Sequence, residues 1–546
     1  MDFKELSDIL FPMVNKIPDF YEKLYPPRDI GKSAMVTRIA PSPTGFMHLG
    51  NLFGALTDET LARQSGGVFY LRIEDTDAKR EVAGGVDAII SGLEYFGIRF
   101  DEGALIEGDK GNYGPYRQRQ RKEIYQTYAK QLVSEGKAYP CFCKEDELSK
   151  ARNEQSESKI TTGYYGKWAK CRNLKIEDIE RLISERQPFV LRYFSKGNEQ
   201  NTVKFHDELK GDIEFPEHSH DDVLLKSDGI PTYHFAHVID DHLMRTTHVV
   251  RSEEWLSSVP YHIELFKAFN WEMPQYIHTA QVMKMEGNSK RKLSKRKDPE
   301  LALEYYKEQG YPTESVTEYL LTILNSNYEE WRLKNPGISH KEFKLTVEKM
   351  SVSGMLFDIL KLEDISKNII SMLTAEEVYE QVSKWALSYD KEFYELLNRD
   401  SDYAVRILSV GRMGNKPRKD IAKWSDVKEY IGFFYDELFK IKDEYPSNID
   451  KDSVRNILQR YIEIYDPADD QTEWFGKIRD LTNECGYCGD MKEYKKNPEL
   501  YKGNVGDVST VIRIAVVGRA NSPDMYALFN ILGSEKVKER LNKAIG

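Results

Sequence analysis

A short proline- and glycine-rich segment near the N-terminus constrains the fold more than any other feature of the chain. Residues 35–40, MVTRIA, have the pattern of a short buried strand, and apolar residues recur at helical spacing over 49–64. The link between them contains Pro41, Pro43 and Gly45. Proline fixes φ, and glycine reaches conformations that other residues avoid, so this link is a tight, pre-shaped turn. A helix that begins after such a turn presents free backbone N–H groups, which predicts an anion site.

The next segment extends this pattern to a βαβ unit. The triplet Ser65-Gly66-Gly67 is a helix stop, and residues 68–75, VFYLRIED, read as a second buried strand. Strand, helix and strand in this order predict a parallel sheet. Ligands of such sheets bind beyond the carboxyl ends of the strands. The proline turn and the acids Glu74 and Asp75 therefore fall at the same edge.

Composition limits the class of protein. The chain has 546 residues, which implies several domains, and it is 40% hydrophobic and 31% charged. No apolar run approaches the ~18 residues of a membrane span, the first residues lack the pattern of a secretion signal, and the five cysteines suit a reducing compartment. We therefore expect a cytoplasmic protein that does not enter a membrane. The net charge of −11 argues weakly against nucleic acid, since binding depends on where the basic residues lie.

The remaining sequence divides by texture. We expect residues 1–33 to form an extension with one helix and a Pro-Pro turn, and residues 113–215 to be an insertion with a basic, tyrosine-rich helix. Sheet-like patterning returns over residues 221–255, and the texture changes after KRKLSKRKD, 290–298. From 341 to 546 the pattern is helical, with many Lys/Glu pairs and no internal repeat.

A second unusual segment is strongly basic. Seven of the fourteen residues in KMEGNSKRKLSKRK, 284–297, are lysine or arginine, and a glycine, an asparagine and two serines interrupt them. A solvated charged loop is one interpretation. A mobile loop that carries ammonium groups onto a polyphosphate is the other, because lysine is a compact charge on a flexible stem.

These two segments together carry a family resemblance. PSPTGFMHLGN, 41–51, resembles the His-Ile-Gly-His motif of class I aminoacyl-tRNA synthetases, and KLSKR, 292–296, resembles their Lys-Met-Ser-Lys-Ser loop. With RIEDTD and PTYHFAHVIDDHLM between them, the chain resembles the bacterial-type glutamyl-tRNA synthetase family, closely over about 35–375.

The resemblance implies an α/β fold with further domains. It implies a Rossmann-like parallel-sheet catalytic domain in two halves, an inserted acceptor-stem-binding domain and all-α anticodon-binding domains. The corresponding ranges are 34–112 and 216–340 for the catalytic halves, the second with the KLSKR loop and a stem-contact region, 113–215 for the insertion and 341–546 for the helical domains.

The resemblance also implies an activity. Such an enzyme activates L-glutamate with ATP to glutamyl-adenylate and transfers it to the 3′ end of tRNA(Glu), with release of pyrophosphate and AMP. Mg²⁺ accompanies the ATP, since phosphoryl chemistry needs it. The family also implies a monomer.

Residues matching the two motifs are assigned by this resemblance to ATP and catalysis. The implied catalytic residues are His48, Lys292 and Lys295, and the implied ATP-binding residues are Thr44, His48, Gly50, Glu254 and Lys295. Further motif positions are Pro41, Gly45, Asn51, Leu293, Ser294 and Arg296. Asn51 stands where the motif usually ends in histidine.

Glutamate recognition needs one group that binds the amino group of the substrate and one that binds its side-chain carboxylate. Arginine matches both oxygens of a carboxylate, and by resemblance this role belongs to Arg38 and Arg251. The implied neighbours are Ala40, Ser42, Glu74 for the ammonium group and Tyr233. Neutral glutamine would leave a buried arginine unpaired, so a site built on charge rejects it.

Each arginine also has a purely structural interpretation. Arg38 would pair with Glu74 or Asp75, and Arg251 would pair with Glu253 or Glu254. At position 237, where the family commonly has asparagine, this chain has a histidine.

Cysteine spacing raises the question of zinc. Cys141, Cys143 and Cys171 resemble a zinc site found in part of the family, but a structural site needs four ligands. Tyr164 or Tyr165 is the candidate for the fourth. The sequence alone favours a chain without zinc at this position, and it favours an incidental origin for the pair Cys485 and Cys488.

A basic segment in the helical region is a candidate for RNA contact. It contains Arg406, Arg412, Lys416, Arg418, Lys419 and Lys423. Arginine and lysine contact the RNA backbone while bases are read by stacking and by their edges. A solvated helix–loop face is the alternative.

Three other functions compete with the ligase. One is the shortened paralogue that glutamylates queuosine in tRNA, which resembles the catalytic half alone. Another is a nucleotidylyltransferase of the same superfamily, which needs neither the helical tail nor two carboxylate-binding arginines. The third is a catalytically inactive tRNA-binding homologue.

Overall fold

The computed structural model describes residues 2–294, 296–412 and 416–546. It forms two compact units, Met1–Tyr305 with Thr317–Asp358, and Tyr306–Val316 with Ile359–Gly546. In the described part of the chain, no helix is both long enough and apolar enough to cross a bilayer.

The strands lie in the first unit. They are β1 Val36–Ile39, β2 Val68–Leu71, β3 Glu102–Ala104, β4 Asp109–Lys110, β5 Ala138–Cys141, β6 Val190–Tyr193, β7 Thr202–Asp207, β8 Gly211–Pro216, β9 Val223–Leu225, β10 His248–Ser252, β11 Gln275–Thr279, β12 Val282–Glu286, β13 Ser289–Lys292 and β14 Met355–Leu356.

The helices that precede residue 340 are mostly short and connect these strands. They are α1 Phe3–Leu10, α2 Pro18–Leu24, α3 Leu49–Ser65, α4 Gly85–Tyr95, α5 Lys122–Ser134, α6 Glu145–Glu157, α7 Ile176–Ser184, α8 Tyr233–Leu243, α9 Val259–Ala268, α10 Leu303–Gln309, α11 Thr313–Leu324 and α12 Tyr328–Lys334.

A parallel sheet forms the centre of the first unit. Strand β1 pairs in parallel with β2 from Val36↔Val68 to Ile39↔Leu71, and helix α3 connects the two. Strand β2 pairs in parallel with β3, and β10 pairs in parallel with β11. The N–H of Thr247, just before β10, donates to Val36 O at 3.0 Å and brings β10 beside β1. The predicted βαβ unit and its parallel sheet are confirmed.

The segment predicted to be an insertion forms a separate antiparallel sheet. Strand β5 pairs with β6, and β6 pairs with β9, while β7 and β8 form a hairpin. The predicted basic, tyrosine-rich helix is α5, which follows a short 3₁₀ turn at Gln118–Arg121. Strand β9 pairs with β6 and belongs to this antiparallel sheet, although it lies beyond residue 215, where we expected the insertion to end.

The basic loop extends from a small sheet of its own. Strands β12 and β13 form an antiparallel hairpin, and β14 adds in parallel through Val282↔Met355 and Met283↔Leu356. Residues 341–358, which the sequence analysis groups with the helical tail, therefore pack with the catalytic half. A two-residue strand in a mainly polar segment has too little pattern to be recognised from sequence.

The second unit is helical. Its first segment, Tyr306–Val316, contains the end of α10 and the start of α11. Its other helices are α13 Ile359–Met372, α14 Ala375–Tyr389, α15 Lys391–Asn398, α16 Ser401–Ser409, α17 Trp424–Ile431, α18 Lys451–Ile464, α19 Gln471–Glu484, α20 Met491–Lys496, α21 Val505–Val517, α22 Met525–Leu532 and α23 Ser534–Ile545. Their apolar faces form one core that includes Val378, Ile457, Ile512 and Leu541. The predicted all-α character is confirmed.

Residues 1–33 form two helices rather than the expected one. Pro18 begins α2, where its missing N–H costs nothing. Glu22 of α2 accepts hydrogen bonds from the Tyr128 hydroxyl at 3.2 Å and from Arg245 at 2.8 Å. The extension thereby connects helix α5 to the end of helix α8.

Candidate active site

The proline turn lies at the carboxyl ends of β1 and β2. The N–H of Glu74 donates to Pro41 O at 3.0 Å, and the N–H of Val82 donates to Pro43 O at 2.9 Å. Ala40 follows β1 half-buried, and Ser42 is exposed. The backbone of the turn is therefore held by hydrogen bonds from the segment that follows β2, and Thr44 and Gly45 are half-buried.

Helix α3 begins directly after the turn, with His48 as its N-cap residue. The N–H of His48 donates to Asn51 Oδ1 at 3.1 Å. Asn51 thus closes the first turn of the helix in the manner of a capping box. A Cβ at Gly50 would lie 3.1 Å from His48 Nδ1, so the imidazole lies against the glycine backbone.

The segment that follows the basic loop contacts the first motif. His48 forms an isolated antiparallel bridge with Ala302, which follows the basic loop, and the N–H of Leu303 donates to Met47 O at 3.2 Å. The chain just beyond the basic loop is thereby held at the start of α3.

A buried acid anchors the basic loop. Asp298 is 2% exposed and accepts two hydrogen bonds from the Arg291 guanidinium, at 2.6 and 2.8 Å, and one from the N–H of Ser294 at 2.8 Å. The Arg291 hydrogen bonds lower the pKa of Asp298. Leu293 is buried, and Arg296 is exposed. Lys295 lies outside the described residues.

Lys292, a predicted catalytic residue, pairs with Glu254, a predicted ATP-binding residue. The ammonium group of Lys292 is within hydrogen-bond distance of Glu254 Oε1. Both side chains are about half exposed, at 56% and 46%. The pair therefore lies at the surface, where solvent screening keeps the interaction weak and exchangeable.

Arg38 pairs with a carboxylate that the sequence analysis did not single out. Its Nε and Nη2 donate to Asp241 at 3.2 and 3.4 Å, and neither Glu74 nor Asp75 is its salt-bridge partner. Arg72 contacts Asp241 at 2.7 Å and Glu74 at 3.1 Å. The result is a buried charge network beneath the carboxyl ends of β1 and β2.

Arg251 has a different environment. Its Nε donates to His278 Nε2 at 2.9 Å, its Nη atoms lie 3.5 Å from His262 Nδ1, and Nη2 donates to Trp255 O at 3.4 Å. Glu253 pairs with Lys210 instead, and Glu254 with Lys292. Arg251 is buried, with 9% of its surface exposed. Among the described residues, no carboxylate nevertheless forms an ion pair with it.

His237 and Tyr233 connect the two arginines. His237 Nδ1 lies 2.7 Å from Asp241, and its Nε2 lies 2.9 Å from the Tyr276 hydroxyl, over whose ring the Arg251 guanidinium lies at 4.8 Å. Burial lowers the pKa of His237 to about 3, so the imidazole is neutral.

Tyr233 stacks on His237 with centroids 5.8 Å apart. Burial raises the pKa of Tyr233, and the charges of Arg251, Glu74 and Arg38 also act on it. The hydroxyl of Tyr233 therefore lies within the electrostatic influence of all three charged side chains.

A thiol cluster lies in the inserted segment. The sulfurs of Cys141, Cys143 and Cys171 are all within 4.8 Å of one another, and Cys143 Sγ lies 3.6 Å from Cys171 Sγ. The Tyr164 hydroxyl is 3.2 Å from Cys143 Sγ. Three sulfurs and one hydroxyl converge, which supplies the four donors that a tetrahedral zinc needs.

The basic segment of the second unit is partly used within the protein. Arg412 donates to Ile370 O at 2.8 Å and to Leu408 O at 2.9 Å, and Arg418 pairs with Asp420 at 2.6 Å. The side chains that it exposes to solvent include Lys416 and Lys419. Residues 413–415 lie outside the described part.

Sequence reasoning missed several residues of this site. Arg72, Asp241, Asp207, His262 and His278 are all buried in the first unit. A charged residue within an otherwise apolar strand or helix was the available signal, as in RIED and VIDD. Which buried charges would pair was not readable, since the partners come from distant segments.

Comparison with known proteins gives the family. Residues 34–364 match the family model of class I tRNA synthetases (E and Q), catalytic domain, and residues 377–545 match an anticodon binding domain. The second match argues against the shortened paralogue, because it covers the helical tail. The match to a catalytic domain likewise does not favour an inactive homologue.

Full-length relatives and a solved structure agree with this assignment. A protein of Acetivibrio thermocellus called glutamate–tRNA ligase is 54% identical over 546 residues, with 100% of both chains covered. One of Clostridium perfringens with the same name is 47% identical over 548 residues, with 100% and 99% covered. The crystal structure of a glutamate tRNA ligase from Elizabethkingia meningosepticum superposes with a TM-score of 0.73 at 26% identity and covers 94% of this chain and 99% of that one. The chain therefore belongs to the class I aminoacyl-tRNA synthetases, in the family of the glutamate–tRNA ligases.

Proposed function

We propose that this enzyme activates L-glutamate with ATP and transfers the glutamyl group to the 3′ end of tRNA(Glu). The observation that carries the proposal is Arg251, a buried guanidinium whose described partners are two imidazoles, a carbonyl and an aromatic face. A buried charge without a counter-ion is costly, so an anionic side chain of the substrate is its natural partner.

The glutamate site that we propose lies between Arg38 and Arg251. Glu74 would hold the ammonium group, and Tyr233 would close one side. Arg38 and Glu74 are each already engaged by one partner, through Asp241 and Arg72 respectively. These contacts fix the orientation of both side chains before the substrate arrives, which lowers the entropy cost of binding. Ala40 and Ser42 would line the remaining edge.

ATP would bind where the turn, the start of α3 and the basic loop meet. His48 and the backbone at Gly50 would contact the phosphates at the positive end of the helix. Lys292 would exchange its surface contact with Glu254 for a phosphate, and Glu254 would then be released for the nucleotide. Thr44 would lie beside them.

In the proposed reaction, a glutamate carboxylate oxygen attacks the α-phosphorus and pyrophosphate leaves. Lys292 and Lys295 would neutralise the charge that develops on the leaving group. Positioning and electrostatic stabilisation dominate the catalysis of such reactions. Mg²⁺ would accompany the ATP and share this charge. The tRNA 3′ hydroxyl would then attack the mixed anhydride and release AMP.

We further propose that the thiol cluster binds zinc. Protein purified without chelator should contain one zinc per chain by elemental analysis, and Cys141→Ser and Tyr164→Phe should each lower this content. Cys485→Ser is the matched control, since this buried cysteine lies outside the cluster. Zinc-free wild-type protein, or equal zinc in all the variants, would contradict the assignment.

Lys416 and Lys419 are the proposed contacts with tRNA phosphates in the second unit. Each lost contact should weaken tRNA binding and lower the slope of log K against log salt by roughly 0.7 for single-stranded RNA. We expect this for Lys416→Ala and Lys419→Ala, measured by tRNA titration at several salt concentrations.

The control for this pair is Arg399→Gln, which removes another exposed cation of the same unit that pairs with Glu437. It should leave the slope unchanged. Unchanged slopes in the two lysine variants would remove this segment from the tRNA interface.

The remaining expectations, a cytoplasmic enzyme that acts as a monomer, are compatible with these proposals and follow from the family.

A further inference from the structure

Arg251 is backed by a pair of buried side chains for which the proposed chemistry has no direct use. Arg251 and His278 lie opposite each other in the parallel pair β10–β11, and the guanidinium Nε–H donates to His278 Nε2 at 2.9 Å. His278 Nδ1 lies 2.7 Å from Asp207 Oδ2 at the end of β7. Guanidinium, imidazole and carboxylate therefore form one continuous line.

The carboxylate at the end of this line is rigidly held. Asp207 Oδ1 accepts the N–H groups of Leu209 at 3.0 Å and Lys210 at 2.9 Å, and Oδ2 accepts the N–H of His278 at 3.1 Å. Although burial opposes ionisation, the hydrogen bond from His278 helps to lower the pKa of Asp207. The acid is fully buried and stays ionised.

The charge state of Asp207 determines the tautomer of His278. An ionised carboxylate only accepts, so His278 Nδ1 carries the proton and Nε2 presents a lone pair to Arg251. Burial lowers the pKa of His278, and the charge of Arg251 lowers it as well. The imidazole is therefore a neutral acceptor that fixes the guanidinium at Nε.

The neutral spacer has a consequence for substrate binding. A carboxylate in direct contact with Arg251 would neutralise it and compete with the carboxylate of the substrate. Here the counter-charge lies one imidazole away, so Arg251 is oriented by a hydrogen bond while its Nη edge keeps its charge. Bidentate recognition needs that orientation, because the planar fork matches a carboxylate in one geometry.

We propose that Asp207 and His278 are positioning residues that set the orientation of Arg251 for the substrate carboxylate. This proposal rests on the proposed function of Arg251 as the receptor of that carboxylate. Neither residue touches the substrate; both act through the guanidinium.

Asp207→Asn is the sharpest test, because the change is isosteric. The two N–H groups at Oδ1 keep the amide oxygen of the asparagine there, so its NH₂ group faces His278 Nδ1 and no longer accepts the backbone N–H of His278. The imidazole must then carry its proton on Nε2, opposite the Arg251 Nε–H, and this contact becomes repulsive. The logic matches that of an acid that selects the tautomer of a catalytic histidine.

We expect Asp207→Asn to raise the KM for glutamate in tRNA-dependent ATP–pyrophosphate exchange on the order of 10- to 100-fold, the range for losing a charge-assisted hydrogen bond. The KM for ATP should change less than about twofold, since the ATP groups are untouched. His278→Gln retains a hydrogen-bond acceptor near the position of Nε2. It should therefore raise the KM for glutamate less than His278→Ala does. His248→Gln, a change at the opposite end of β10, should leave both KM values unchanged.

A double variant separates positioning from a merely structural role. In the Arg251→Gln background, Asp207→Asn should add almost nothing to the KM for glutamate, because the group that it orients is gone. Full multiplication of the two effects, or a parallel rise in the KM for ATP, would overturn the proposal. It is also overturned if Arg251→Gln raises the KM for glutamate and Asp207→Asn does not. If Arg251→Gln itself has no effect, the proposed function of Arg251 fails, and the positioning role fails with it.

Discussion

Arg251→Gln should weaken glutamate binding by about 2–5 kcal/mol, the range for removing one member of a buried charge pair. The expected cause is specific. The substrate carboxylate would lose its counter-charge in a site where burial excludes water, and the glutamine amide supplies no charge. The loss belongs mainly in the KM for glutamate, which ATP–pyrophosphate exchange with tRNA present measures directly. Relative activity with glutamine should rise, because a neutral site no longer penalises a neutral side chain.

The matched control for this variant is Arg63→Gln. Arg63 lies at the far end of α3 and pairs with Asp101 at 2.6 Å on an exposed face. Its replacement should leave the KM for glutamate unchanged, since exposed pairs contribute little. A normal KM for glutamate in Arg251→Gln would remove Arg251 from the pocket.

Lys295→Ala should lower the rate of glutamate activation on the order of 10²- to 10³-fold, the range for removing one group that stabilises developing charge. The assignment of Lys295 comes from the KLSKR motif. Its neighbour Ser294 is anchored by Asp298, which is bound in turn by Arg291. Charge on the leaving pyrophosphate appears only as the reaction proceeds, so kcat should fall while the KM for glutamate stays nearly constant.

Lys290→Ala is the corresponding control in the same basic segment. Lys290 lies on β13 and is exposed to solvent. We expect single-turnover activation by this variant to stay within about twofold of wild type, as for surface substitutions. Wild-type activation rates for Lys295→Ala would show that the loop does not act on the leaving group.

The central sheet was predictable because its signals are local. A short apolar run, a proline turn, a helical period and a Gly-Gly stop occupy residues 35–75 without interruption, and this order has one common solution. The helical tail was predictable for the same reason, since its periodicity is sustained. The exception is β14, whose two residues pair with β12 some 70 positions earlier.

The ion pairs of the site were not predictable. Arg38 lies 203 residues from Asp241, and the sequence offered nearer acids at Glu74 and Asp75. The choice depends on side-chain direction at the strand ends. Arg72 donates to Asp241 and to Glu74, and Arg38 donates to both oxygens of the same Asp241 carboxylate. Such geometry follows from packing and from register, neither of which a single sequence contains.

The thiol cluster lies between these cases. The sequence spacing identified three candidate thiol ligands, Cys141, Cys143 and Cys171. The identity of the fourth donor depends on how the intervening chain folds back. Tyr164 rather than Tyr165 reaches Cys143, because Tyr165 turns its hydroxyl towards Thr161 O at 2.5 Å. Two adjacent tyrosines are indistinguishable until the backbone direction is known.

The most direct test of this account is ATP–pyrophosphate exchange with purified enzyme, with glutamate or glutamine as substrate and with tRNA(Glu) present or absent. We expect exchange with glutamate when the tRNA is present, little exchange without the tRNA, as the family implies, and none with glutamine. That outcome would mean that the charged pocket, the ATP site and the anticodon domain all take part in the same reaction. Equal exchange with glutamine, or no exchange with glutamate in the presence of the tRNA, would contradict it.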